Sequence, residues 1–226
     1  MHIYHLRGWR TPASKYPRTS HGIAAIRDWP LDAGDTYEAY GTHPPNAKRD
    51  YAYYRVERNV ITTNLTIDGQ VWMVDDPPHW WAIQEYAAEF SGHVLVAGLG
   101  LGLIVHALAA NPKVTSITVV ELCKDVIDLV GPLVPKCEIV HSDWYEYEPT
   151  AKVDGVFYDL FLGSGKANAM PALREMLELR QRFPGVIHRI LGFNNPGLIR
   201  LATTIESGIA AVMKLYGHAN PDCGEH

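Results

Sequence analysis

Residues 93–108 read HVLVAGLGLGLIVHAL. The first part is an unbroken apolar run of strand length, and the last part repeats apolar residues at helical spacing. Glycine stands between them at 98, 100 and 102. A run that is apolar at every position suits a strand buried on both faces of a parallel sheet. Glycines at its end permit a tight turn and let backbone N–H groups approach a ligand. The helix that follows adds a field at its N-terminus that favours negative charge. The stretch therefore predicts the first strand–turn–helix unit of an α/β fold.

The same alternation continues downstream. Strands are expected at 94–98, 115–121, 137–141, 153–158 and 186–191, with helices over 101–110, 123–130, 167–182 and 196–215. Such alternation predicts a doubly wound, Rossmann-like, mainly parallel sheet. Upstream, β-rich runs over 53–67 and 70–74 flank Asp68-Gly69, a pair suited to the positive φ angles of a type I′ hairpin turn. Asp76 followed by Pro77 marks a helix start. The first fifty residues are rich in turn formers and aromatics. They read as an irregular arm or lid, with a short helix over 21–29 and aromatics that pin the arm or wall a pocket. The expected division is an arm over 1–50, a β-hairpin region over 51–76, a cofactor-binding domain over 77–193, and a C-terminal helix and tail over 194–226.

A chain of 226 residues is long enough for a substantial core, and 47% hydrophobic with 20% charged residues argues against wholesale disorder. The formal net charge of -5 provides no bulk positive field for nucleic acid. Lys15, Arg18, Lys48 and Arg49 read as solvated loop charges. The cysteines are Cys123, Cys137 and Cys223, an odd number without CxxC spacing, so neither a disulfide framework nor a zinc site is expected. His2 and His5 stand close together, but no HExxH pattern accompanies them and no metal is expected. The start lacks a signal-peptide core and no apolar run reaches bilayer length, so a soluble cytoplasmic protein is expected.

Acidic residues end the successive strands. Glu121 closes the second, about twenty residues beyond the glycines, where a carboxylate can accept from ribose hydroxyls. Asp143 follows the third, placed to accept from an adenine amino group, with Trp144 beside it as stacking surface; a turn-cap role is the alternative for Asp143. Asp159 ends the fourth, above the crevice where open α/β sheets bind ligands. A dinucleotide fingerprint, G-x-G-x-x-G, would require glycine at 103, which is leucine.

With these residues in place, 93–160 resembles the core of class I S-adenosylmethionine-dependent methyltransferases. VLVAGLGLG, ITVVEL, HSDW and FYDLF occupy the places of the four motifs along that core. Within the class the chain is most similar to the spermidine synthase-like branch, where a small β-hairpin domain precedes the core as LTIDGQVWMVDDPP does here. The resemblance implies S-adenosylmethionine as cofactor, held by Gly98, Gly100, Gly102, Glu121, Asp143 and Trp144. Asp159 is the candidate to orient or deprotonate the acceptor, with a structural acid binding backbone amides as the alternative. Leu101 and Leu162 stand where aminopropyltransferases carry acids, which argues against polyamine synthesis and for a small or uncharged acceptor. The alternatives are a nucleoside-binding or interaction module without turnover and, behind it, an NAD(P)-dependent oxidoreductase. Exposed faces of the hairpin and last helix could pair in a homodimer. DDPPHWW resembles the D-P-P-aromatic motif of amino-methylating nucleic-acid enzymes, but its place before the glycines makes it a helix cap. GSGK at 163–166 lacks phosphate-loop spacing and reads as a turn.

Overall fold

The computed structural model describes residues 2–45, 47, 51–160, 169–191, 204, 205 and 207. The chain opens with β1 (Ile3–Leu6), a 3-10 turn at Pro12–Lys15, β2 (Ser20–His21), β3 (Ala24–Leu31) and β4 (Thr36–Glu38). The first fifty residues are thus more regular than expected, and the helix expected over 21–29 is instead a strand. β3 pairs along its full length with β6 (Val60–Ile67), from Ala24 opposite Ile67 to Leu31 opposite Val60. Eight residues of non-local pairing outweigh the weak helical pattern of the isolated segment.

β5 (Tyr53–Val56) lies between β1 and β4 in a three-stranded sheet. β2, β3, β6 and β7 (Gln70–Val74) form a four-stranded antiparallel sheet. The single run read over 53–67 is broken after Val56, so its two halves serve different sheets. Asp68 and Gly69 have φ of 49° and 74°, the pair of positive angles that joins β6 to β7. Asp76 then caps α1 (Pro77–Glu89), accepting from the His79 N–H at 3.2 Å, with Pro77 in the first helical position.

The remainder is β8 (Gly92–Ala97), α2 (Leu103–Ala109), β9 (Val114–Glu121), α3 (Lys124–Val130), β10 (Glu138–His141), β11 (Gly155–Tyr158), α4 (Ala169–Arg182) and β12 (Ile187–Ile190). Its five strands pair in the order β10-β9-β8-β11-β12, every pair parallel. Val94, Val96 and Phe157 face residues of α1, α2 and α3 on one side. Leu95, Ala97, Val156 and Tyr158 face Met176 and Leu179 of α4, and Phe183 just beyond it, on the other. Both faces are covered, which is why these strands are apolar throughout. The chain runs from β8 to β9 and β10, then returns to β8's other flank for β11. That reversal creates a crevice beyond the carboxyl ends of β8 and β11. No helix among the described residues is long and apolar enough to cross a membrane. Apart from residues 204, 205 and 207, the helix expected over 196–215 lies outside the described residues, as do Cys223 and the GSGK stretch.

A buried acid ties the N-terminal segment to this core. Asp75 is fully buried between β7 and α1. Its carboxylate accepts from the Thr11 hydroxyl and the Thr63 N–H, and its carbonyl accepts from Trp9 Nε1–H at 2.6 Å. Tyr16 adds a hydrogen bond to His106 of α2 at 2.7 Å. Burial pushes the Asp75 carboxyl up to about 6 although its hydrogen bonds pull the other way. Asp75→Ala leaves those donors unsatisfied and should cost about 2 kcal/mol or more in urea unfolding; Asp75→Asn should cost less. The folded pKa lies above the unfolded value of about 3.9. The acid's contribution to stability therefore declines as pH rises from about 4 to about 6, and Asp75→Asn should remove that part of the slope.

Candidate active site

The turn after β8 alternates left-handed glycine with buried leucine. Gly98, Gly100 and Gly102 have φ of 89°, 51° and 68°, and Leu99 and Leu101 between them belong to the core. The glycines do different things. A Cβ on Gly98 would lie 2.7 Å from the Asp159 carbonyl, so the ends of β8 and β11 approach only without one. A Cβ on Gly100 would lie 2.9 Å from Met73 Sδ, the hairpin atom that also receives the Leu101 N–H at 3.3 Å. A Cβ on Gly102 would strike Val134 at 2.2 Å. Gly98 and Gly100 face the crevice; Gly102 starts α2 and serves packing.

Glu121 braces this turn. Its Oε2 accepts from the Leu99 N–H at 2.8 Å and its Oε1 from the Cys123 N–H at 2.7 Å. Asp143 accepts from the Tyr145 N–H at 2.9 Å and shapes the turn after β10. Trp144 departs from expectation. It is only 3% exposed, edge-on to Tyr158 and covered by the Arg182 guanidinium 4.9 Å from its ring centre. No open ring face remains for a base to stack on, so Trp144 bounds the crevice as a wall. Tyr158 is likewise buried, its hydroxyl 2.9 Å from that of Tyr145.

The crevice is a cavity of about 780 Å³. Its floor is the glycine turn with Glu121, Asp143 and Asp159, and one wall is the β6–β7 hairpin through Leu65, Ile67, Val71, Trp72 and Met73. The start of α1 adds Asp76 and His79, which a reading of DDPPH as a cap alone overlooked. The signal was present as an acid and a histidine three residues apart, directly after the hairpin. Among the described residues, no Lys or Arg lines the cavity. Basic side chains gather elsewhere, where His5, Arg7, Arg55 and Arg58 line a depression of about 640 Å³.

Asp159 is crowded by protein on the cavity floor. Burial pushes its carboxyl up to about 6; Glu121's charge adds to the rise and His79 opposes it. Burial also raises Asp76, against the pull of His79, whose Nδ1 lies 3.7 Å from Asp76 Oδ1. Among the described residues, no group of three or more His, Cys, Asp or Glu side chains is placed to hold a metal ion.

No protein-family model matches the chain, and no curated protein does. Solved structures with similarity include the plantazolicin methyltransferase BpumL in complex with SAH, at 13% identity and a TM-score of 0.35, over 47% of this chain and 41% of that one. The amino pentose methyltransferase CalS10 of Micromonospora echinaspora, with SAM bound, aligns at 17% identity and a TM-score of 0.36, over 50% and 48%. The sugar N-methyltransferase KedS8 of a Streptoalloteichus species aligns at 16% and 0.37, over 52% and 50%. The chain spans about half the length of the solved structures it matches.

Glu121→Ala deprives two backbone amides of a charged acceptor. It should lower stability by about 1–3 kcal/mol and speed hydrogen exchange at Leu99 and Cys123, with exchange in the β3–β6 sheet unchanged.

Proposed function

We propose that the protein is an S-adenosylmethionine-dependent methyltransferase acting on a small-molecule acceptor. The observation that carries this reading is the charge of the cavity. Asp76, Glu121, Asp143 and Asp159 line it, with no Lys or Arg among the described lining residues. A dinucleotide would bring its diphosphate against those carboxylates with no Lys or Arg among the described lining residues to compensate it. A sulfonium ligand brings a positive charge instead. The residues fit the group: Gly98 and Gly100 leave the floor free of side chains, and carboxylate oxygens that accept one amide retain lone pairs for hydroxyl or amino donors.

In this reading Glu121 takes ribose hydroxyls, Asp143 takes the adenine amino group, Trp144 closes the far wall and Gly102 starts the supporting helix. When bound, the cofactor supplies an electrophilic methyl group on sulfur. The chain's own work is to align the acceptor with that methyl and exclude water, which the apolar hairpin wall serves. Asp159 orients the acceptor or takes its proton. A carboxyl near 6 is a stronger base than an ordinary carboxylate and is ionised at neutral pH.

Calorimetry should detect saturable binding of S-adenosylmethionine and none of NAD, with Glu121→Gln weakening the former at least tenfold. Binding of NAD alone would overturn the reading. Once an acceptor is in hand, turnover should rise with pH through about 6 as Asp159 ionises. Asp159→Asn should cut kcat at least tenfold and abolish that limb, while the cofactor Kd changes less than threefold.

A further inference from the structure

Resting on that reading, we infer that the methyl acceptor is an organic amine with an apolar body, its nitrogen seated among Asp76, His79 and Asp159 and its body against Trp72 at the cavity mouth. Once the glycine turn, Glu121 and Asp143 are given to the cofactor, the remaining acidic and imidazole side chains of the described lining come from the start of α1 and the residue after β11. They are two carboxylates and one imidazole. Asp76 spends one hydrogen bond on the α1 cap. The Asp159 carboxylate receives none from any described residue. Negative charge that is crowded by protein, with no Lys or Arg among the described lining residues, is costly, and a ligand ammonium relieves that cost. An anionic acceptor would add to it.

The mouth has the opposite character. Ile23 is 53% exposed, Trp72 40% and Leu122 66%, and all three line the cavity. Apolar surface gathered around a concave site marks where an apolar ligand lies, and an indole face also attracts a cation that passes it. An acidic floor beneath an apolar rim complements a molecule charged at one end and apolar at the other.

The chemistry balances. The ammonium gives one proton to the Asp159 carboxylate, leaving a neutral nitrogen with its lone pair. That pair forms the bond to the methyl carbon while the carbon–sulfur bond breaks. The bonding electrons pass to sulfur, which becomes a neutral thioether, and the nitrogen takes the positive charge. Asp159 then returns its proton to water, with His79 beside it.

Binding to the full-length chain saturated with S-adenosylhomocysteine tests the inference by calorimetry. The probes are tryptamine and hexylamine, their neutral counterparts indole-3-ethanol and hexanol, and the anion indole-3-propionate. Each amine should bind at least tenfold tighter than its alcohol, and the anion should not bind. Asp76→Asn, in which asparagine keeps the helix cap, should weaken the amines at least tenfold and the alcohols less than threefold. Trp72→Ala, a change at an exposed position, should weaken tryptamine and indole-3-ethanol alike by about fivefold or more. Neither variant should alter the S-adenosylhomocysteine Kd by more than threefold. Alcohols that match the amines, no binding of either amine, or indifference to Asp76→Asn would overturn the inference while leaving the methyl-donor reading intact. Amine binding without any S-adenosylhomocysteine binding would instead overturn the donor reading.

Discussion

A single carboxylate holds the crevice in shape. Glu121 ends β9, yet its oxygens accept from an amide in the turn after β8 and from another at the entry to α3. Two strand ends and a helix entry are thereby locked to one another where the sheet order reverses. The turn it braces is one that only glycine enters easily, with left-handed backbone at every second residue and buried leucines between. The leucines anchor the turn in the core, Gly98 and Gly100 present backbone to the crevice, and the missing side chains let Asp159, Met73 and Val134 approach the turn. Met73 then seats the hairpin on that turn, so the wall of the cavity and its floor are one packed unit.

The electrostatic consequence follows from the topology. Parallel strands deliver their carboxyl ends to one edge, and here three of those ends carry an acid or lead directly into one. α1 arrives at the same edge from the hairpin and brings Asp76 and His79. The arginines of the N-terminal sheet line a different depression and do not neutralise the acids. Burial then raises Asp159 to about 6 and moves Asp76 upward as well. A cavity of this charge favours positive charge over negative charge in whatever enters it.

The parallel sheet was legible because its strands are buried on both faces. Val94–Ala97 and Gly155–Tyr158 are apolar throughout, and no alternation had to be deciphered. Asp68-Gly69 was legible because positive φ at two adjacent positions restricts the residues that fit. The N-terminal sheets were not, because β3 owes its form to β6, whose residues pair with it from Ala24 opposite Ile67 to Leu31 opposite Val60. Nor does local pattern reveal that Asp75 would be buried and Asp76, its neighbour, would line a cavity. Trp144 was read as a stacking surface from its place after β10, but α4 sends Arg182 across its face. At the site, chain position located the acids; how each is used depends on packing partners distant in sequence.

The most direct test of this account is hydrogen–deuterium exchange on the intact chain with and without S-adenosylmethionine. Bound S-adenosylmethionine should slow exchange in the glycine turn over 98–102, at 121–123 and in the turn over 142–145, with no change around Arg7, Arg55 and Arg58. Unaltered exchange in all three turns at saturating concentration, or protection confined to the arginine-lined depression, would contradict it.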